Sequence, residues 1–232
     1  MVAAVVACEP LGPYLRVTLE RTFPPGEPGQ FHMLRPLAYD GLLARPLSAV
    51  AADDDGVTFL TQPRGAGLAA LARVGAGVEV LGPFGHGFDV RAAGAAPLLV
   101  GGGFGAALLA PLARVLPAAV LLAAFRDAGA ARAAELVEAA EREIVLPPAS
   151  VLDGLARRLD GATCVLAAGP DGLVRAIAAA CATAGVPCQV ALEAPMACGY
   201  GACYGCAVSL GGNLVRLCVE GPVVAGDRLG AA

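Results

Sequence analysis

Four of the chain's eight cysteines lie within 21 residues. Cys198, Cys203, Cys206 and Cys218 read C-x4-C-x2-C-x11-C, the first three inside Met196-Ala-Cys-Gly-Tyr-Gly-Ala-Cys-Tyr-Gly-Cys206. The first three spacings are those of plant-type [2Fe–2S] ligation, in which one loop supplies three thiolates and a nearby strand the fourth. Gly199, Gly201 and Gly205 alternate with the ligands, so the backbone can curl tightly and turn its N–H groups toward sulfur. Zinc modules usually present two separated close pairs, a pattern this segment lacks; zinc and a disulfide pair stand as the competing readings. A tail of about 40 residues is too short to bury a core of its own and needs a metal or a larger body to lean on. The other cysteines, Cys8, Cys164, Cys181 and Cys188, sit among Ala, Val and Leu and read as buried, inert thiols.

Composition narrows the function classes. Hydrophobic residues make up 57% of the 232 and charged residues 16%, the reverse of a disordered chain. The formal charge is −4 and there is no lysine; nothing resembles a basic nucleic-acid footprint. One charge-free run, Ala92 to Ala113, is long enough to span a bilayer. A Gly-Gly-Gly centre between Pro97 and Pro111 suits a buried strand, a tight turn and a helix better. The stretch Val2–Cys8 is too short for a signal peptide, and no positive charge precedes Arg16. The expectation is a cytoplasmic protein with no membrane segment.

The first 95 or so residues read as all-β. Short alternating runs (Val2–Cys8, Tyr14–Leu19, Gln30–Leu34, Val57–Leu60, Val78–Leu81) are broken by turn clusters, which suggests a small barrel. From Pro97 the pattern becomes strand–helix alternation. Leu98–Val100 is a buried strand running into Gly101-Gly-Gly-Phe-Gly105 and a helix to Val115. Ala118–Phe125 is a second strand. Ala130–Arg142 reads as a helix with Glu135, Glu138 and Glu141 on one face. Cys164–Ala168 is a third strand, followed by Gly169-Pro-Asp-Gly172 and a helix through Ala184, and Val186–Leu192 closes the series. Such alternation predicts a doubly wound α/β sheet, which binds ligands at the carboxyl ends of its strands; both Gly-rich turns fall there. The expected division is a β-barrel at 1–95, an α/β domain at 96–192 and a cysteine-rich subdomain at 193–232.

In this order the parts resemble the ferredoxin-reductase superfamily, and within it the electron-transfer subunits of NAD-linked dihydroorotate dehydrogenases. The resemblance covers nearly the whole chain. It is carried by Pro28-Gly-Gln-Phe31, Arg45-Pro-Leu-Ser48, Gly82-Pro-Phe-Gly-His-Gly-Phe88, the Gly101–Gly105 turn, Gly169-Pro-Asp-Gly172 and the cysteine loop. It implies FAD on Arg45, Pro46, Leu47 and Ser48, with Arg45 at a pyrophosphate oxygen and Ser48 facing the isoalloxazine; a forked guanidinium suits phosphate. The next flavin stretch maps to Leu60, Thr61 and Gln62, and the phosphate turn to Gly67 and Leu68. Thr61 and Gln62 replace the usual aromatic and arginine there, and Leu68 replaces a hydroxyl. NAD would lie on Gly101, Gly102, Gly103, Gly105, Gly169 and Pro170 at a strand–helix turn. Arg126 and Asp127 follow the second strand, and their opposite signs do not choose between NAD and NADP.

The resemblance implies an electron relay in pyrimidine biosynthesis. A partner subunit carrying FMN oxidises dihydroorotate, and this chain passes the electrons through its cluster and FAD to NAD⁺, within a hetero-oligomer. Two other readings are compatible with the sequence: an NAD(P)H-dependent reductase serving a ferredoxin or an oxygenase, or a regulator that has lost tight flavin binding. No nucleophile constellation or dihydroorotate base presents itself, and His32 and His86 read as structural. Tyr200 and Tyr204, set between ligands, are candidates for contact with the partner.

Overall fold

The computed structural model describes residues 1–230. Seven strands form the first unit: β1 (Val2–Leu11), β2 (Tyr14–Leu19), β3 (Phe31–Pro36), β4 (Arg45–Leu47), β5 (Ala49–Ala52), β6 (Val57–Thr61) and β7 (Gly77–Phe84). They make one antiparallel sheet in the order β4-β3-β7-β1-β2-β6-β5. The two ends of that order, β4 and β5, are separated in sequence only by Ser48. The sheet must therefore curl until its ends meet, and Ser48 sits at the seam. Alternating residues Val5, Val17, Leu19, Leu34, Phe59 and Val80 fill the interior, as period-2 patterning requires.

His32 belongs to this interior. It is fully buried, edge-on to Phe23 and Phe59, with Nε2 2.9 Å from the Pro24 carbonyl and Nδ1 without a partner. The carbonyl can only accept, so the Nε2–H donates to it. Burial lowers the His32 pKa below the ordinary 6.5, with the Pro24 contact opposing. The unfolded chain takes up a proton near 6.5 and the folded chain resists it. His32 thus contributes stability that is full above that value and is lost progressively as pH falls below it. The unfolding midpoint should fall between roughly pH 7.5 and 5, and His32→Phe should flatten that part of the slope. An unchanged slope in the variant would remove His32 from the account.

The second unit is a six-stranded sheet built from β8 (Pro97–Gly102), β9 (Val120–Ala124), β10 (Glu141–Val145), β11 (Cys164–Ala168), β12 (Cys188–Ala191) and a late strand, Val223–Ala225. The five strands β8 to β12 are parallel, in the order β10-β9-β8-β11-β12. Their side chains alternate between two cores. Leu99, Leu121, Ala123 and Leu166 face the segment 103–115. Leu98, Val100, Leu122 and Val165 face the helices Val151–Arg158 and Asp171–Ala184. Burial on both faces explains why these strands are near-continuous apolar runs. The strand order reverses between β8 and β11, which is the topological switch point of a doubly wound sheet.

Two features depart from the sequence reading. The stretch 130–142 is not one helix: a short helix Ala128–Ala131 passes into a 3-10 turn Arg132–Leu136, and Glu141 already belongs to β10. As the edge strand of the sheet, β10 exposes its charges; Glu141 and Glu143 pair with Arg158, and Glu143 also with Arg157. The C-terminal segment also does more than fold on itself. It forms a hairpin of β13 (Ala207–Leu210) and β14 (Asn213–Arg216). It then returns β15 (Val223–Ala225) antiparallel to β12, as the sixth strand of the α/β sheet. Among the described residues no helix is long and apolar enough to cross a membrane.

Candidate functional site

The two Gly-rich turns meet at the switch point. A Cβ on Gly105 would stand 2.5 Å from the Cα and N of Gly169, so only glycine lets the turn after β8 lie against the turn after β11. Gly169, at φ 153°, likewise brings its Cα face to Gly102, with the Gly102 amide nitrogen 3.0 Å from where a Cβ would be. The helix Asp171–Ala184 starts directly after Pro170.

Two adjoining cavities of about 220 and 420 Å3 run between the two units, sharing Leu47, Phe104, Gly169 and Glu193 in their walls. Pro46, Leu47 and Ser48 of the seam line the first. Thr61, Gln62, Leu68, Gly102, Gly103, Gly105 and Pro170 line the second. A third cavity of about 390 Å3 continues past Gln62, Phe104 and Pro170 to Arg126, at the carboxyl end of β9. Most residues assigned to flavin or nucleotide from the sequence therefore share one cleft. Four do not line it: Arg45, Leu60, Gly67 and Gly101. Leu60 is fully buried in the core beneath. Gly101 is buried, and a Cβ there would meet Ala106. Gly67 lies beside Arg45, whose Nη2 would stand 3.2 Å from a Cβ placed on it.

Arg45 is half-buried and already oriented. Its Nη1 donates to the Leu43 carbonyl at 2.8 Å, its Nη2 to the Tyr39 hydroxyl at 3.3 Å, and its guanidinium lies 5.6 Å from the Tyr39 ring centroid. Asp127, beside Arg126, is occupied locally. It accepts from the Ala130 amide at 2.8 Å as a helix cap and from Arg126 Nε at 3.0 Å, and the Ala130 contact holds its carboxyl below the usual carboxylate range.

Sequence reading missed Tyr39, Phe104, Glu193 and Met196. Phe104 lines all three cavities; an aromatic inside a run of glycines was its available signal. Glu193 follows β12 at the cleft wall; its side chain is exposed, and partial desolvation by the neighbouring walls raises its carboxyl pKa.

Met196 carries the cleft into the cysteine loop. It lines the same cavity as Ser48 and Gly169, two residues before Cys198. The loop rests on the first unit through Gly199, where a Cβ would come within 2.5 Å of Met33 Cγ. The thiols form two pairs. Cys206 and Cys218 are buried with sulfurs 3.2 Å apart. Cys198 and Cys203 are the other pair, with the Cys203 thiol neighbouring that of Cys198. Burial alone would raise the Cys198 pKa, but N–H groups of Cys203, Tyr200 and Ala202, with the Cys203 thiol, outweigh it and bring the thiol to about 6. Burial, with the Cys206 sulfur beside it, pushes Cys218 up to about 12. Among the described residues no three His, Cys, Asp or Glu side chains gather on one metal ion. Two thiol pairs, each suited to one iron, fit a two-iron core better than a single zinc. Tyr200 and Tyr204 point outward, 62% and 56% exposed beside Cys203.

A β-barrel-like sheet, a doubly wound α/β sheet and a cysteine-rich lobe around a shared cleft define a ferredoxin-reductase-like electron-transfer protein. The fold is that of an NADH-dependent reduced ferredoxin-NADP oxidoreductase, matched with a TM-score of 0.81 over 98% of this chain and 89% of that one, at 20% identity. A ferredoxin reductase in carbazole 1,9a-dioxygenase superposes with a TM-score of 0.66 over 80% of this chain and 66% of its own, at 26% identity. Residues 193–230 match the iron-sulfur cluster binding domain of dihydroorotate dehydrogenase B. The electron transfer subunit of dihydroorotate dehydrogenase B (NAD(+)) from Clostridium acetobutylicum is 32% identical over 87% of this chain and 85% of its own length. That from Caldanaerobacter subterraneus subsp. tengcongensis is 34% identical over 84% of each. This chain belongs to the family of electron transfer subunits of NAD-dependent dihydroorotate dehydrogenase B.

Proposed function

We propose that this chain holds a [2Fe–2S] cluster on Cys198, Cys203, Cys206 and Cys218, binds FAD along Arg45–Ser48 and the neighbouring Thr61–Gln62 wall, and takes NAD at the Gly-rich turns. Its partner is an FMN-bearing subunit that oxidises dihydroorotate in the cytoplasm. The observation that carries this is the shared cleft: one cavity is walled by Pro46, Leu47 and Ser48, by the turn at Gly169 and by the approach to the cysteine loop at Met196. A two-iron cluster moves one electron, nicotinamide takes a pair as hydride, and a flavin exchanges either, so the three together match a two-electron substrate to a two-electron acceptor.

The chain's own residues supply position and environment. Tyr39 and the Leu43 carbonyl fix the Arg45 fork beside Gly67, ready for a phosphate. Phe104, Leu108 and Leu192 give the cleft apolar walls, which exclude water from the transfer. Gly102, Gly103 and Gly105 let backbone approach a dinucleotide without side-chain obstruction. Tyr200 and Tyr204 present amphipathic rings at the surface beside the cysteines, the chemistry enriched at interface hot spots.

Denatured protein should release FAD, and Arg45→Ala should weaken its retention. A charge-assisted phosphate contact is worth roughly 1.5–3 kcal/mol, so the dissociation constant should rise about ten- to a hundredfold. Release of FMN, or parent-like retention in the variant, would overturn the flavin assignment.

A further inference from the structure

Among the described residues Tyr204 is the one non-glycine with a positive φ, at 58°. A bulky aromatic residue seldom takes that conformation, and it persists only where its surroundings enforce it. What touches it is Arg216, from the end of β14, whose guanidinium lies 5.1 Å from the Tyr204 ring centroid. The same guanidinium donates through Nη1 to the Gly201 carbonyl at 3.2 Å, midway between Cys198 and Cys203. It also donates through Nη2 to Glu220 Oε1 at 2.7 Å. Glu220 in turn accepts from the Arg216 amide at 2.8 Å. Arg216 and Glu220 each stand two residues from Cys218, on opposite sides.

We propose that Arg216, braced by Glu220, is the positioning residue of the cysteine loop. It ties the turn that carries Cys198, Cys203 and Cys206 to the short helix Leu217–Glu220 that carries Cys218, and it sets the charge beside the sulfurs. The inference rests on the cluster reading above. One side chain fastens both halves of the ligand set: the Gly201 contact holds the loop from within, and the ring contact holds Tyr204 between the second and third cysteines. Gly201 is required to be small here, since a Cβ on it would approach Val219 Cγ2 at 2.7 Å and Arg216 Nη1 at 3.4 Å. Outer groups that orient metal ligands typically account for ten- to a hundredfold in metal retention. Their charge also moves a cluster's potential, because the reduced form carries one more negative charge.

The test uses the full-length chain, purified anaerobically. Iron content of the parent is measured first; then loss of iron to a chelator is followed by visible absorption, and the midpoint potential is read by titration monitored by electron paramagnetic resonance. Arg216→Gln should lose iron roughly ten- to a hundredfold faster than the parent and titrate at a lower potential. Glu220→Gln, which leaves the guanidinium unbraced and unneutralised, should also lose iron faster but titrate at a higher potential. Arg216→Lys should restore the potential and not the retention, because an ammonium keeps the charge and loses the fork. A role in folding alone would not move the two potentials in opposite directions. Should Arg216→Gln fail to accumulate, Glu220→Gln and Arg216→Lys carry the same comparison. A parent without iron overturns the cluster reading and this inference with it. An iron-bearing parent whose variants keep its rate of loss and its potential overturns this inference alone.

Discussion

Cys203→Ser is expected to abolish the chain's iron while sparing its flavin. The parent should carry about two irons and two sulfides, as one [2Fe–2S] centre requires, and the variant close to none. Cys203 is the exposed member of its pair, in a loop of three ligands, so no neighbouring sulfur stands ready to replace it. The cleft walls at Ser48, Gln62 and Phe104, where the flavin would lie, belong to other segments and remain in place. Cys164→Ser provides the contrast: that thiol is buried in β11 within the sheet core, and its loss should leave iron content unchanged. Metal and flavin analysis of the three proteins, prepared anaerobically, checks this. One zinc per chain in the parent, with no iron after anaerobic reconstitution, would contradict it.

The second large effect is expected at Gly105. A Cβ there meets the Cα and N of Gly169 at 2.5 Å and the carbonyl carbon of Ala168 at 2.7 Å. These are backbone atoms at the carboxyl end of β11 and in the turn after it, and they cannot rotate aside. Gly105→Ala must therefore push the turn after β8 away from the turn after β11, where the dinucleotide would lie. Forced overpacking costs typically 1–3 kcal/mol, so the urea midpoint should drop clearly, and NADH oxidation with a dye acceptor should fall further than stability alone explains. Gly172→Ala is the matched control. Nothing lies within 4 Å of a Cβ at that position, inside the helix Asp171–Ala184, and the substitution should stabilise by roughly 0.5–1 kcal/mol. Equal effects at the two glycines would show that the crowding at the switch point is not what constrains Gly105.

What the sequence revealed depended on how local its signal was. The cysteine spacing and the two glycine turns were legible because ligation and close backbone approach demand particular residues at particular offsets. The parallel strands were legible because burial on both faces leaves runs such as Leu98–Val100 and Val165–Ala168 with no polar residue. The stretch 130–142 misled for the opposite reason. Glutamates at 135, 138 and 141 satisfy a helical face, but an edge strand also shows its charges, and the pairing of Glu141 and Glu143 with Arg157 and Arg158 is a contact between segments distant in sequence. The return of β15 to the sheet was hidden likewise, since three residues, Val223–Ala225, carry no periodicity. Within the site, Ser48 was found through its motif, while its place at the seam follows only from strand order. Tyr39 acts through Arg45 and Arg216 through Gly201 and Tyr204, partners that the linear sequence does not place beside them.

The most direct test of the central claim is dihydroorotate-dependent reduction of NAD⁺, measured for this chain alone, for an FMN-bearing dihydroorotate dehydrogenase subunit alone, and for the two co-expressed. NADH should form from dihydroorotate only with the pair, which should purify as a stable complex, while this chain alone oxidises NADH with artificial dyes. Turnover of dihydroorotate by the lone chain, or undiminished reduction of NAD⁺ by a complex carrying Cys203→Ser, would contradict the account.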